Sequence, residues 1–318
     1  SVLRLPRPPA RSADRRARVL GRIHSPKRDR QAIAFHYDLG NDFYRLFLGE
    51  DLVYSCAYFL RADERLEAAQ RRKLDLVCRK LRLQPGERFL DIGCGWGSLA
   101  IHAARRYGVR ALGVTLSREQ AELATERVKE AGLEDRVEIR LADYREVDGS
   151  FDAVASVGMF EHVGPDRYTE YFGRCHALTA AGGRFLNHGI TTGTRGVVVD
   201  MARSRRRTFV GTYVFPDGGL APAWQAVQHT EAAGFELVDV EQLRPHYALT
   251  LRNWVRRLET NHEAAVAAAS QMDYRIWRAY MAGSVVGFES GDLGVVQILG
   301  FKRADVPLGR RWALPGDA

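Results

Sequence analysis

From Arg88 to about Ile190 the chain alternates short apolar runs with stretches of helical periodicity, and this alternation constrains the fold more than any other feature. RFLDIG, RALGVTL, VEIRLAD, FDAVASVG and GGRFLNHGI read as strands, and the segments between them read as helices. Apolar runs of this length, separated by crossover-length helices, build a parallel sheet in an α/β layer fold. The regularity breaks after Thr191. An Arg-rich stretch (Arg203 to Arg207) leads to a Pro-Asp-Gly-Gly turn at Pro216–Gly219. Then come a helix around Trp224–Ala233, a strand around Glu236–Val240, a long helical region from Tyr247 to Phe288, and a last strand, GVVQILGFKR. Before the alternation, residues 31–84 mix aromatics with an amphipathic pattern from about Glu64 to Leu81, ended by the Pro85–Gly86 turn.

Several classes fall away on composition. With 318 residues, 46% hydrophobic and 27% charged, the chain has the makings of a full globular core. No apolar run approaches the roughly 18–20 residues of a membrane span. No secretory signal is visible, and the chain starts at Ser1 rather than Met, so upstream sequence is open. Cys56, Cys78, Cys94 and Cys175 form no CxxC pair and no Cys/His metal spacing, so free thiols in a reducing cytoplasm and no metal site are expected. The net charge of +8 is local. Residues 1–30 hold ten Arg/Lys and two Asp, and the other 288 residues balance. This basic arm is either a solvated leader or an attachment to a polyanion such as an anionic membrane surface.

The clearest local motif is FLDIGCGWGS, Phe89 to Ser98. An apolar strand carries Asp91 near its end, and Gly93, Gly95 and Gly97 permit a tight turn into a helix, with the backbone open to a ligand. A dinucleotide fingerprint is G-x-G-x-x-G with an acid at the end of the second strand. Here the spacing is G-x-G-x-G, the acid precedes the first glycine, and the second strand ends in GVTLS. The pattern resembles motif I of class I S-adenosylmethionine methyltransferases, whose cationic cofactor suits a nearby acid. Asp143 ends the third strand, as that reading requires. SVGMFEHVG follows the fourth strand, with Glu161 and His162 among apolar neighbours. Taken alone, Glu161 is better read as a helix start facing solvent, and His188 in FLNHGI as a structural histidine. Together they place two ionisable residues on the rim that carries the glycine turn.

The whole set of segments resembles the cyclopropane fatty acid synthase family, which includes the mycolic acid cyclopropane synthases and related lipid C-methyltransferases. The segments are HYDLGNDFYRLFLGEDLVYSCAYF (His36–Phe59), LDIGCGWGS, GVTLSREQ (Gly113–Gln120), SVGMFEHVG, FLNHGI and HYALTLRNW (His246–Trp254). The resemblance runs from about residue 31 to residue 303, and YSCAYF and VGMFEHVG are its most specific parts. It implies a Rossmann-like sheet, mostly parallel with the last strand antiparallel. A helical cap (31–84), a methyltransferase domain (85–303) with lid insertions at about 191–222 and 246–290, and a C-terminal tail (304–318) follow from it.

The implied reaction is methyl transfer from S-adenosylmethionine to a cis double bond of an unsaturated acyl chain, then proton loss to close a cyclopropane ring. The family's bicarbonate ligands fall on Cys56, Glu161, His188, the Ile190 backbone and Tyr247. Its cofactor contacts fall on Tyr54, Ser55, Gly93, Gly95, Thr115, Leu116, Gln120, Asp143 and Tyr144, with Asp91 before the turn. Thr115–Gln120 also reads as a helix start, with Ser117 as cap. Phe160, Phe209, Tyr213, Phe215, Tyr274 and Tyr280 are candidates to line an acyl tunnel. Leu249, Ser284 and Asn187 depart from the pattern of well-known relatives and leave the acyl substrate open. The same fold making a methylene or methyl branch, or methylating a small molecule, is the alternative. Partners expected are the acyl lipid and an anionic membrane surface at the inner face of the cytoplasmic membrane, not nucleic acid. A homodimer stays open.

Overall fold

The computed structural model describes residues 16–17, 19–37, 39–193 and 208–302. Most of the basic arm, the Arg203–Arg207 stretch and the tail from 304 lie outside these residues. A cap of three helices comes first: α1 (Pro26–Tyr37), α2 (Asn41–Leu48) and α3 (Leu66–Lys80). The helical part therefore starts at Pro26, inside the segment read as arm. The alternating core follows as β1 (Arg88–Ile92), α4 (Ser98–Tyr107), β2 (Arg110–Thr115), α5 (Arg118–Glu130), β3 (Val137–Leu141), β4 (Phe151–Val157), α6 (Phe160–Val163), α7 (Tyr168–Leu178) and β5 (Thr179–Thr192). Next are α8 (Phe209–Tyr213), α9 (Ala223–Ala232), β6 (Glu236–Gln242), α10 (Arg244–Thr260), α11 (His262–Ala268), α12 (Gln271–Ser290) and β7 (Leu293–Phe301).

The strands form one seven-stranded sheet in the order β3-β2-β1-β4-β5-β7-β6. β1 to β5 pair in parallel, and β7 runs antiparallel between β5 and β6. The last strand is thus antiparallel, as expected. The order reverses between β1 and β4, so their carboxyl ends open a crevice where this type of sheet binds ligands. β5 is longer than the sequence indicates. It runs past His188 to Thr192 because β7 continues to pair with it, from Arg184↔Phe301 to Thr192↔Leu293. His188 therefore lies within the strand.

The long helical region after Tyr247 is three helices, because the chain breaks at Asn261 and at Ala269–Ser270. Ser270 caps α12 by accepting from the Asp273 N–H at 3.0 Å. α10 and α12 pack together and, with the cap helices, enclose an aromatic cluster that includes Phe43, Phe47, Trp254 and Trp277. This cluster sits above the carboxyl rim and roofs the site. The cap is also tied to the glycine turn: Trp96 Nε1 donates to Asn41 Oδ1 at 2.7 Å, and Arg127 donates to the carbonyls of Trp96 and Asp51.

Candidate active site

The glycine turn leaves β1 with all three glycines at positive φ: Gly93 at 76°, Gly95 at 55° and Gly97 at 78°. Their surroundings differ. A Cβ on Gly93 would meet Met159 at 2.9 Å, and one on Gly97 would meet Ala124 of α5 at 3.2 Å. A Cβ on Gly95 would meet nothing within 4 Å. Gly93 and Gly97 permit packing, whereas Gly95 borders open space at the rim.

Two cavities flank this turn. One is lined by Gly93, Gly95, Thr115, Leu116, Gln120 and Tyr144, with His24, Ile33 and Tyr37 from the N-terminal segment closing it. The other is lined by Tyr54, Ser55, Lys73, Asp91, Gly93 and Gly95. A third, mostly apolar cavity of about 270 Å³ lies beneath α10 and α12, lined by Glu161, Ile190, Phe215, Tyr247, Leu251 and Tyr280 among others. Tyr37 and Gly158 line all three. The polar and apolar spaces therefore meet at these two residues.

Thr115 and Gln120 form a buried pair, with Thr115 Oγ1 donating to Gln120 Oε1 at 2.8 Å. Ser117 caps α5 through the Gln120 N–H, as expected, while the Gln120 side chain turns to Thr115 instead of closing a capping box. Asp143 is not among the lining residues. Its carboxylate accepts from the Arg145 backbone N–H at 3.0 Å and pairs with the Arg145 guanidinium, which also reaches Asp29 at 2.8 Å. Its neighbours Ala142, Tyr144 and Arg145 line the space. Asp91 is buried, and its Oδ2 has no hydrogen-bond partner. Burial pushes its carboxyl up to about 7, against the pull of Lys73.

Of the expected anion ligands, Glu161, Ile190 and Tyr247 share the apolar cavity. Glu161 Oε1 accepts from the Ile190 N–H at 2.6 Å, so that N–H is already engaged by the carboxylate. Glu161 Oε2 is buried without a partner. Burial pushes the Glu161 carboxyl up to about 7, partly offset by the Ile190 N–H. Cys56 and His188 do not line that cavity. The Cys56 thiol is fully buried at the root of α10 and donates to the carbonyls of Ala57 at 3.2 Å and Leu243 at 3.7 Å. Its burial holds it as a thiol, well above the ordinary range. His188 lies under Gly158, whose N–H donates to the His188 carbonyl at 2.8 Å. Its Nε2 is buried without a partner, and burial pulls its pKa well down, so the ring is neutral.

Of the six aromatics considered for a tunnel, Phe215 and Tyr280 line the apolar cavity and the other four do not. The single turn of α6 sends Phe160 into the core, where it stacks on Tyr168 at 4.6 Å. Tyr274 packs edge-on against His262, and Phe209 meets Tyr213 at a tilt of 44°. Lining residues that sequence reading did not single out are Tyr37, Gly158 and Lys73. Gln297, which supports His188, was also missed. Lys73 and Gln297 do carry a signal, because each puts a polar side chain where the local pattern calls for an apolar one.

Sheet order, glycine turn and the paired polar and apolar spaces define the class: this is an S-adenosylmethionine-dependent methyltransferase. A family model described as mycolic acid cyclopropane synthetase matches residues 24–298, and the chain belongs to that family. It is 45% identical over 283 residues to a probable fatty acid methyltransferase of Pseudomonas putida, covering 88% of this chain and 71% of that protein. It is 39% identical over 269 residues to cyclopropane mycolic acid synthase 1 of Mycobacterium tuberculosis, covering 82% and 93%. The solved structure of mycolic acid cyclopropane synthase CmaA1 complexed with SAH and CTAB superposes with a TM-score of 0.80 at 36% identity, covering 86% of this chain and 98% of that one. The residues present fit the cofactor. Gly95 opens on space that a side chain would fill, and Asp91 offers an unpartnered buried carboxylate oxygen beside it. Among the described residues no helix is long and apolar enough to cross a membrane, and no group of three or more His, Cys, Asp or Glu is placed to hold a metal.

Proposed function

We propose that the enzyme methylates a cis double bond of an unsaturated acyl chain and then removes a proton from the added carbon, closing a cyclopropane ring. The observation that carries this reading is the junction at Tyr37 and Gly158, where the polar cavities beside the glycine turn meet a mostly apolar cavity with a buried carboxylate in its wall. An alkene is a weak nucleophile, so the methyl and the double bond must be held in line, and the carbocation formed must be kept from water.

S-adenosylmethionine, held by Tyr54, Ser55, Asp91, Gly93, Gly95, Leu116, the Thr115–Gln120 pair and Tyr144, supplies the electrophilic methyl group. Tyr37, Phe215, Tyr247 and Tyr280 turn aromatic surface toward the apolar cavity, which suits a transient cation and excludes solvent. The two alkene carbons and the added methyl carbon form the ring once one methyl hydrogen leaves as a proton. A bicarbonate ion is the base we assign to that step; the unpartnered Glu161 Oε2 in the cavity wall would hold it, and His188 Nε2, unpartnered but outside the cavity's lining, would be the second donor. With its carboxyl raised toward neutrality, Glu161 can share a proton with such an anion without repelling it. Tyr247 completes the enclosure as a neutral group, and the Cys56 thiol, bonded to the Ala57 and Leu243 carbonyls, stays outside it. The Ile190 N–H acts through Glu161, which it orients.

The second reading is a methyl or methylene branch on a fatty acyl chain, and the identity to a probable fatty acid methyltransferase favours keeping it. Incubation with S-adenosylmethionine and monounsaturated phospholipid, followed by mass spectrometry and NMR of the product, separates the two. Gain of one CH2 with loss of the double bond supports the ring. The same gain with unsaturation retained supports a methylene branch, and a gain of CH4, the methyl cation plus a hydride from an added hydride donor, supports a saturated methyl branch. No labelled lipid of any kind overturns both. We further assign the basic arm to anionic membrane surfaces, which would hold a soluble body near its acyl substrate.

A further inference from the structure

Lys73 lies in α3 with 1% of its surface exposed, and its Nζ donates to Ser55 Oγ at 2.8 Å. A buried lysine needs a reason, because desolvating an ammonium is costly unless an anion offsets it. Lys73 borders the same cavity as Asp91, Gly93 and Gly95. Among the described residues lining that cavity it is the sole cation and Asp91 the sole anion. Asp91 Oδ2 has no partner there. The cavity therefore presents one buried positive and one buried negative group, and the Ser55 hydroxyl that accepts from the lysine is also part of its lining.

A zwitterion matches this pair. The amino-acid end of S-adenosylmethionine carries an α-ammonium and an α-carboxylate on adjacent atoms. We propose that Lys73 is a specificity residue that reads the α-carboxylate of the methyl donor, directly and through Ser55, while Asp91 takes the α-ammonium. Burial pulls Lys73 down to about 8 and pushes Asp91 up to about 7 in spite of their mutual attraction, and a zwitterion entering the space adds an opposite charge beside each. This assignment rests on the cofactor reading above and extends it to a residue outside the glycine motif.

The test is calorimetric binding of two ligands to the full chain: S-adenosylmethionine and its decarboxylated analogue, which lacks only the α-carboxylate. The wild-type protein should prefer the intact donor by roughly 10- to 100-fold, the span of one or two charge-assisted hydrogen bonds. Lys73→Met should lower affinity for the intact donor by the same factor and change the analogue by less than about twofold, which closes the gap. Lys73→Gln, which keeps a donor for Ser55 but no charge, should behave likewise. Equal weakening of both ligands in these variants would make Lys73 a mere scaffold for Ser55 and Asp91, and would overturn the assignment. A wild-type protein that binds both ligands equally overturns it without any variant. Failure of the wild type to bind either ligand would instead remove the cofactor reading, and this assignment with it.

Discussion

Gln297 Nε2 lies 3.1 Å from His188 Nδ1, and the two residues face each other directly across the β5–β7 pair. With the Gln297 amide in this orientation its nitrogen donates, so Nδ1 accepts and the ring proton resides on Nε2. That is the atom left without a partner. Gln297 is fully buried and so fixes His188 as a neutral N–H donor aimed away from β7. Nitrogen-15 NMR of labelled histidine should therefore show the Nε2–H tautomer at neutral pH. Gln297→Glu presents an acceptor to Nδ1, draws the proton there and removes the donor. Turnover should fall about 10- to 100-fold, by the worth of a hydrogen bond to a charged group, with affinity for S-adenosylmethionine unchanged. An Nδ1–H signal in the wild-type protein would refute this arrangement.

The glycine turn allows a paired test. Gly93→Ala and Gly95→Ala both place a side chain at positive φ, which costs about 1–2 kcal/mol in each. Only Gly93→Ala adds a collision, with Met159 at 2.9 Å, so its thermal midpoint should fall further than that of Gly95→Ala. The order should invert for cofactor binding. Gly95→Ala, which meets no protein atom, should lose most of its affinity for S-adenosylmethionine in calorimetry, because the methyl occupies ligand space. Retained affinity would place the cofactor elsewhere.

The features legible in the sequence are those encoded within a few residues. Five strands of the core, the turn Gly93–Gly97 and the Ser117 cap depend on local pattern, and the structure holds all of them. The family segments carried the rest, including Glu161, Ile190 and Tyr247 on one cavity. What stayed hidden depends on packing at a distance. Asp143 ends a strand at the rim as expected, and Arg145 two residues on pairs with it. Phe160 sits beside Glu161 in sequence, yet it packs into the core against Tyr168. Lys73 occupies the buried stripe Leu66, Ala69, Lys73, Val77, Lys80 of α3, where in the sequence it reads as one of many charges. Gln297 similarly interrupts the apolar run GVVQIL. A polar residue on an apolar stripe is a usable signal, but its partner becomes visible only when the sheet is assembled.

The basic arm yields a prediction that the structure reshapes. Removing residues 1–30 would also remove His24, which is buried, and Arg28, whose guanidinium pairs with Asp217 through Nε at 2.5 Å and Nη2 at 2.8 Å. Deleting only residues 1–18 removes a net charge of +5 and spares both. Each basic residue near an anionic surface is worth about 1 kcal/mol. Sedimentation with phosphatidylglycerol vesicles should show binding that weakens strongly on this deletion and loses its salt dependence, while the thermal midpoint stays put. Unchanged binding would make the arm a leader.

Glu161 links stability, pH and turnover in one residue. Its folded-state pKa is raised, so between about 4.5 and about 7 the folded protein binds more protons than the unfolded chain. Stability contributed by the protonated carboxyl is therefore full below the unfolded value and is lost as pH rises through about 7. The loss should be about 1–3 kcal/mol once solvent reaching the cavity is allowed for. Glu161→Gln keeps an oxygen for the Ile190 N–H and cannot ionise. Differential scanning calorimetry should find it equal to wild type at pH 5 and more stable at pH 8. Turnover should fall at least about 100-fold, because the proton-sharing contact to the bound anion is gone, while affinity for S-adenosylmethionine stays within about twofold. Equal pH profiles of stability in the two proteins would show that Glu161 is not held near neutrality. A matching loss of cofactor affinity would move it from the apolar cavity's chemistry into the cofactor site.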